Sequence, residues 1–523
     1  MGARAVPLVS GTGSPDVFRS LLFPGPTADM PDGGAPACFH DLNLDQIVSR
    51  VAAPWAEYAV HRFYDAAPVD PAVIGYRQAV MHEIDGPPVM SCIRAFSEHI
   101  RTMRQHLDAR AHSSYPLERD RQFLAAVATF VEAVRGLREA LESLDLASQG
   151  LRSLRDFLTD YVSRPTFVQL AGEVEALVAA LAAVTYSLLV HDLQVTVLPY
   201  EGEPDYAAEV VRVFERFRRE PAADRHTTFA DAGRLNHVEA QILERVARLH
   251  PAPFGVLRAF CAAHGEYLDP TIARLAAEVP YYLAYLDAIA PLRKAGLPFV
   301  YPRMSDVDKT IDVRGGFDLA LAFGLTNPRD IVPNDISIRG EERLLVVSGP
   351  NHGGKTTFAR MFGQLHYLAR LGVPVPAADA QLFLCDRIIT HFERPEDQRY
   401  GRGKLQDELM RLHQALSEIT PRSLVILNEM FSSTTVQDAL YLARRILAAL
   451  SARDVLTVSV TFLDELARFD HRTVSMVGAV DARDPSRRTF RIERRAADGL
   501  AYAVAIAEKY HVTGDWLRRR LGP

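Results

Sequence analysis

Cysteine is scarce. The four among 523 residues, Cys38, Cys92, Cys261 and Cys385, lie far apart and form no CxxC pair. That spacing excludes a metal knuckle or a disulfide framework and predicts a chain suited to a reducing cytoplasm. Lysine is nearly as rare. Lys294, Lys309, Lys355, Lys404 and Lys509 are the only five, and arginine supplies the rest of the basic charge. A lysine inside a motif is therefore informative. An excess of positive charge is also missing: Lys+Arg is 59 and Asp+Glu is 65, giving a net charge of −6. A general basic coat for nucleic acid is excluded, and any such contact must rest on a local patch or on shape. Long hydrophobic runs are absent as well. The longest uncharged apolar run, Ala176–Val190, falls short of the roughly 18–20 residues that span a bilayer, and it reads as a buried helix. No basic segment followed by an apolar one opens the chain, so neither a signal peptide nor a membrane partner is expected. The 17 histidines show no HxxxH or HExxH pattern, and no GxSxG elbow occurs.

What is present is an ordinary globular composition, 48% hydrophobic and 24% charged, long enough for about three domains. Residues 1–37 hold six Gly and six Pro and read as a flexible lead-in with one short docked helix at Asp16–Leu22. Residues 38–297 are almost wholly helical in pattern. Phe123, Leu124, Val127, Phe130, Val131, Val134, Leu137, Leu141 and Leu144 recur mostly every three or four positions, which predicts one long amphipathic helix within an all-α lever or bundle. From 298 to 523, strand-like runs (Arg343–Ser348, Leu424–Leu427, Val455–Val460, Thr489–Glu493) alternate with helical stretches (Lys355–Leu371, Leu405–Glu418, Asp438–Ser451). That alternation predicts an α/β domain with a mostly parallel sheet.

The first of these strands runs into Gly349-Pro350-Asn351-His352-Gly353-Gly354-Lys355-Thr356, followed by Thr357. This satisfies GxxxxGK[ST] between a strand and a helix, the arrangement of a phosphate-binding loop. Gly349, Gly353 and Gly354 let backbone N–H groups curl around phosphate oxygens, and the helix starting near Lys355 aims its positive end at the same anion. Lys355 brings a point charge to the terminal phosphates, and Thr356 a hydroxyl to Mg²⁺. Some 70 residues later, Ser423-Leu-Val-Ile-Leu-Asn428-Glu429 is a buried strand ending in polar residues. Asn428 can accept a bond from metal-bound water but adds no charge, so Mg²⁺ should be held weakly. Glu429 is the candidate base. His352 has two readings, packing near the nucleotide or capping the loop.

The segment VVSGPNHGGKTTFARMFGQLHYLARLGVPVPA resembles the ATPase domain of the MutS DNA mismatch-repair family, whose loop reads GPNxGGK[ST]. DRIITHFERPEDQRYGRGKLQDEL, SLVILNEMFSSTTVQDALYLA and VTFLDELARF are similar to its later motifs, in order, over about Pro302–Phe469. The resemblance implies an α/β P-loop, ABC-type ATPase that binds ATP and Mg²⁺, dimerises head to tail and acts on DNA through helical levers. It carries Gly349, Asn351, Gly354, Lys355 and Thr356 over as ATP-binding, Glu429 as catalytic, and Asp438 as the acidic residue of a dimer-contact loop.

The departures are specific. Asn428 replaces the metal-site Asp, Phe462 the switch His, and Gly403 the trans-acting signature Ser. Ile331 lies near the position of an adenine-stacking aromatic. Lys404 is open between a compensating γ-phosphate contact and a surface charge. No GxFYE-like mismatch wedge is found, and only about Ser163–Arg225 is left for a reduced clamp. Arg212, Arg216, Arg218 and Arg219, like Arg518–Arg520, are either phosphate contacts or a solvated face. Two functions follow: a MutS-related DNA-binding ATPase with slow hydrolysis, or a nucleotide-gated module with negligible turnover and an unknown protein partner.

Overall fold

The computed structural model describes residues 18–25, 34–192, 194–203, 235–393, 404–481, 483, 487–497 and 520. An N-terminal helical region precedes a C-terminal α/β region with mixed sheets. Contacts divide the chain into two units, one formed by residues 1–18, 87–147 and 151–276, the other by residues 19–86, 148–150 and 277–523.

In the first unit, helices Pro87–His112 and Pro116–Glu142 form a hairpin across a three-residue link. The predicted stripe is buried on the second helix from Phe123 through Val127, Phe130, Val134 and Leu137 to Leu141, whereas Leu144 lies beyond the helix end and is half-buried. Each such buried side chain contributes on the order of 1.5–3 kcal/mol. The expected buried helix over Ala176–Val190 is not formed. A helix does run through Pro165–Ala182, but the chain then turns into β1 (Tyr186–His191), paired antiparallel with β2 (Gln194–Pro199). The physical reason is local. The alanine-rich stretch ends, and Val184, Thr185 and Tyr186 favour extended backbone. Asp192 then adopts φ 49°, the left-handed conformation a tight hairpin turn needs. The hairpin is not buried either, with Leu189 57% and Val190 66% exposed. Helix Pro165–Ala182 is long and apolar enough to cross a membrane by length and composition, and 28% of it is buried.

In the second unit, the strands are β3 (Arg303–Ser305), β4 (Ile311–Gly316), β5 (Asn334–Ile338), β6 (Leu344–Ser348), β7 (Asp379–Phe383), β8 (Ile388–His391), β9 (Leu424–Asn428), β10 (Leu456–Val460), β11 (Thr473–Val480) and β12 (Arg488–Arg494). One sheet has the order β12-β11-β6-β10-β9-β8, all parallel except the β12–β11 edge pair. The second sheet, β3-β7-β4-β5, combines parallel and antiparallel pairs. The apolar runs of β6, β9 and β10 are buried on both faces, as central parallel strands require.

Helix Lys355–Leu371 is almost entirely buried in this unit. Gln364 ties it to the chain around it: its Nε2 donates to the Leu42 carbonyl (2.9 Å) and Asp318 Oδ1 (2.8 Å), and its Oε1 accepts from the Leu319 N–H (2.8 Å). At the far end, Tyr281 donates to the Leu371 carbonyl (2.6 Å) and Tyr285 to that of Pro374 (2.7 Å). The short helix expected at Asp16–Leu22 is absent over its described part, residues 18–22. Ser20 Oγ instead accepts the N–H groups of Leu22 and Phe23 and donates to Glu278, which offers that backbone an alternative to helix. Asp16 and Val17 lie outside the described residues.

Candidate functional site

β6 delivers the loop. Its five residues are buried, and Ser348 is followed by Gly349 at φ 116°. A Cβ on Gly349 would stand 2.9 Å from the backbone nitrogen of Gly478 on β11, so only glycine allows the loop to leave the sheet here. The Gly353 N–H closes a turn on the Pro350 carbonyl (3.2 Å), and His352 is held at φ 58°. Gly354, at φ 89°, is the N-cap of helix Lys355–Leu371. The first N–H groups of that helix have no intrahelical partner, and they face the loop with the positive end of the helix dipole behind them. Such a cradle can hold a phosphate or another polyanion.

Lys355 is buried in the cradle. Its Nζ donates to the carbonyls of Gly349 (2.8 Å) and Pro350 (3.2 Å) and to Asn351 Oδ1 (3.4 Å). Burial pushes its pKa below the usual lysine value, against the opposing pull of the Glu429 and Asp464 carboxylates.

β9 and β10 bring the second group of residues. Asn428 ends β9, is 8% exposed, and its Oδ1 has no hydrogen-bond partner among the described residues. Glu429 leaves the strand at φ 53°, its N–H donating to the Val460 carbonyl (2.9 Å), and its side chain faces a cavity of about 750 Å³. The walls of that cavity include Asn351, His352 and the run Gly353–Thr357, so most of the sequence-derived candidates meet there. Gly349, Pro350 and Asn428 do not line it. The loop after Glu429 is held from below by Glu408, whose Oε1 accepts the Phe431 N–H (2.8 Å) and lies 3.0 Å from His391 Nε2.

The remaining candidates are dispersed. Phe462, just after β10, is 44% exposed. Lys404 opens helix Lys404–Ser417 and pairs with Glu393 Oε1 at 2.5 Å, an oxygen that Ser432 also bonds. Asp438 lies in the first turn of helix Val436–Ala452, where the N-cap Thr435 accepts its N–H and donates to its Oδ2. Gly403, Arg212, Arg216, Arg218, Arg219, Arg518 and Arg519 lie outside the described residues. Arg520 is exposed.

Sequence reasoning missed Phe490 and Asn334. Both line the cavity, as does Ile331. Phe490 was recognised only as part of a strand. That β12 lies against the loop, with Arg488 Nε donating to the Asn351 carbonyl (3.2 Å), has no local signature.

With this geometry in hand, the relatives are informative. The family model for MutS domain V matches residues 345–512. Proteins called DNA mismatch repair protein MutS align at 32% identity over 184 residues (Chloroflexus aurantiacus), 28% over 269 residues (Granulibacter bethesdensis) and 33% over 228 residues (Erythrobacter litoralis). Residues 345–512 carry a MutS domain V. The alignments cover 35%, 51% and 42% of the chain but 19%, 28% and 26% of the relatives, so it spans less than a third of their length. The domain V match takes in β6 from its second residue, the loop, Asn428, Glu429 and Phe490.

Proposed function

We propose that this chain binds ATP and Mg²⁺ over the Gly349–Thr357 loop through a P-loop ATPase fold. As a cytoplasmic homodimer, it uses the nucleotide to change its grip on DNA in repair or recombination, with slow hydrolysis. The observation that carries this reading is the convergence of a buried Lys355, a helix N-terminus and Glu429 on one cavity. A triphosphate replaces the loop carbonyls as the partner of the Lys355 ammonium, a charge-assisted exchange. Ile331 and Phe490 offer apolar faces to the base.

Thr356 and Asn428 are the residues that would hold Mg²⁺. The Oδ1 of Asn428, without a partner among the described residues, suits an acceptor for metal-bound water. Among the described residues no cluster of three His, Cys, Asp or Glu forms a metal site of its own, which suits an ion held mainly by phosphate oxygens and water. Bound Mg²⁺ neutralises phosphate charge. With a neutral side chain at 428 it is held weakly, and Glu429 orients water in a poorly neutralised site, hence the slow rate.

The second reading is a nucleotide-gated module that engages a protein partner without turnover. The neutral Asn428 and the apolar Phe462 favour it, since neither a carboxylate nor an imidazole stands at those positions. Steady-state ATPase assays with and without DNA separate the two. A rate above that of Lys355→Ala supports the enzyme; a rate equal to it sinks the enzyme and leaves the module. DNA binding is tested by salt titration, where affinity falling with salt is expected and no fall excludes phosphate neutralisation.

A further inference from the structure

We propose that Asn334 is a positioning residue: its side-chain amide holds β12 so that Phe490 forms the wall of the nucleotide cavity, making Asn334 a determinant of base binding as distinct from phosphate binding. The inference deepens the ATP-binding reading and rests on it.

Among the described residues β12 is the outermost strand, so one side of its backbone has no neighbouring strand there. Its pairing with β11 is irregular: Gly478 pairs with Ile492 and Val480 with Arg488, leaving one residue on β11 opposite three on β12. Phe490 is the middle residue of that bulge. It sits at φ 58°, a left-handed conformation unfavourable for a bulky side chain, and is 50% exposed. A strained, half-exposed aromatic at a bulge needs something outside the strand to keep it there.

Asn334, the first residue of β5, does this. Its Nδ2 donates to the Phe490 carbonyl (3.2 Å), and its Oδ1 accepts the Ile492 N–H (2.6 Å). The two partners fix the orientation of the amide, because a carbonyl can only accept and an N–H can only donate. One side chain thus satisfies the backbone at the centre of the bulge and at the residue that closes it, as a neighbouring strand would. The outcome is that Phe490 packs beside Gly354, where a Cβ would meet it at 3.7 Å, and faces the cavity.

The test compares ATP with inorganic tripolyphosphate, which offers the same charge without a base, by calorimetry on the full chain. Phe490→Ala is expected to raise the Kd for ATP roughly tenfold, the scale of one base–aromatic stack. Asn334→Leu is neutral and of similar size, and it loses both the donor and the acceptor. It is expected to raise the ATP Kd about as much, to leave tripolyphosphate binding unchanged, and to add nothing in the Phe490→Ala background. Asn334→Gln, which keeps the amide on a longer stem, should behave alike and serves if the leucine variant does not fold. ATP affinity unchanged in both Asn334 variants overturns the proposal. So does an equal loss for tripolyphosphate, or a loss that adds to that of Phe490→Ala. If the wild type binds neither ligand, or Lys355→Ala binds as the wild type does, the nucleotide reading has failed and the positioning role fails with it.

Discussion

Lys355 Nζ lies 2.8 Å from the Gly349 carbonyl, so the loop binds its own lysine. Because the ammonium is already buried, a phosphate gains its charge without bearing the full cost of drying it. Replacing Lys355 with alanine is expected to weaken ATP binding by about 10–100-fold, the worth of one charged hydrogen bond. The sign of the pH dependence follows from the depressed pKa. Only the protonated amine attracts phosphate, so affinity should fall as pH rises, beginning below the ordinary lysine value of 10.5. Calorimetry across the alkaline range checks this, and the lysine-linked fall should vanish in Lys355→Ala.

Asn428→Asp restores a carboxylate beside a site where Oδ1 has no partner among the described residues. Tighter Mg²⁺ dependence and faster ATP turnover are the expected gains. The cost is a buried charge without a cation, so the variant should melt lower than wild type in EDTA and recover with Mg²⁺ and ATP. A Mg²⁺ titration of the ATPase rate, with thermal melts alongside, measures both effects.

His366 is a buried histidine on the helix that starts at Lys355. Its Nδ1 bonds the Phe362 carbonyl (2.8 Å), and burial lowers its pKa from 6.5 to about 4. The folded state therefore takes up this proton later than the unfolded chain does. Stability from the neutral ring is complete above pH 6.5 and is lost as pH falls towards 4, by up to roughly 3 kcal/mol. Urea denaturation between pH 7 and pH 4 should show the loss, and His366→Leu should flatten that part of the profile.

Glu408 supports the segment behind Glu429 through the Phe431 N–H and His391. Glu408→Ala removes a buried acceptor from two donors and should cost about 3 kcal/mol. Glu408→Gln, which keeps an oxygen for the Phe431 N–H, should cost less. Because the damage lies behind Glu429 and away from the loop, kcat should fall more than ATP affinity, which single-turnover assays and calorimetry distinguish.

Much of the second unit was legible in the chain. β6, β9 and β10 are apolar runs closed by polar residues, and helix Lys355–Leu371 has the predicted ends. β3, β4, β5 and β7 escaped notice because they are short or mixed in composition. Their partners are distant as well, as in Arg303 paired with Gln381. The hairpin at Tyr186–Pro199 was misread because a short apolar run does not by itself separate helix from strand.

The sequence by itself determined the loop motif: a strand, three glycines, a lysine and a helix start are contiguous, and glycine's access to positive φ and the free N–H groups of a helix start are local properties. Tertiary structure alone decided what stands opposite. Phe490 comes from a strand 130 residues or more beyond the loop glycines, and the Asn334 amide from a different sheet. Burial and hydrogen-bond satisfaction act between residues that are close in space, and no periodicity along the chain records which edge a strand will take.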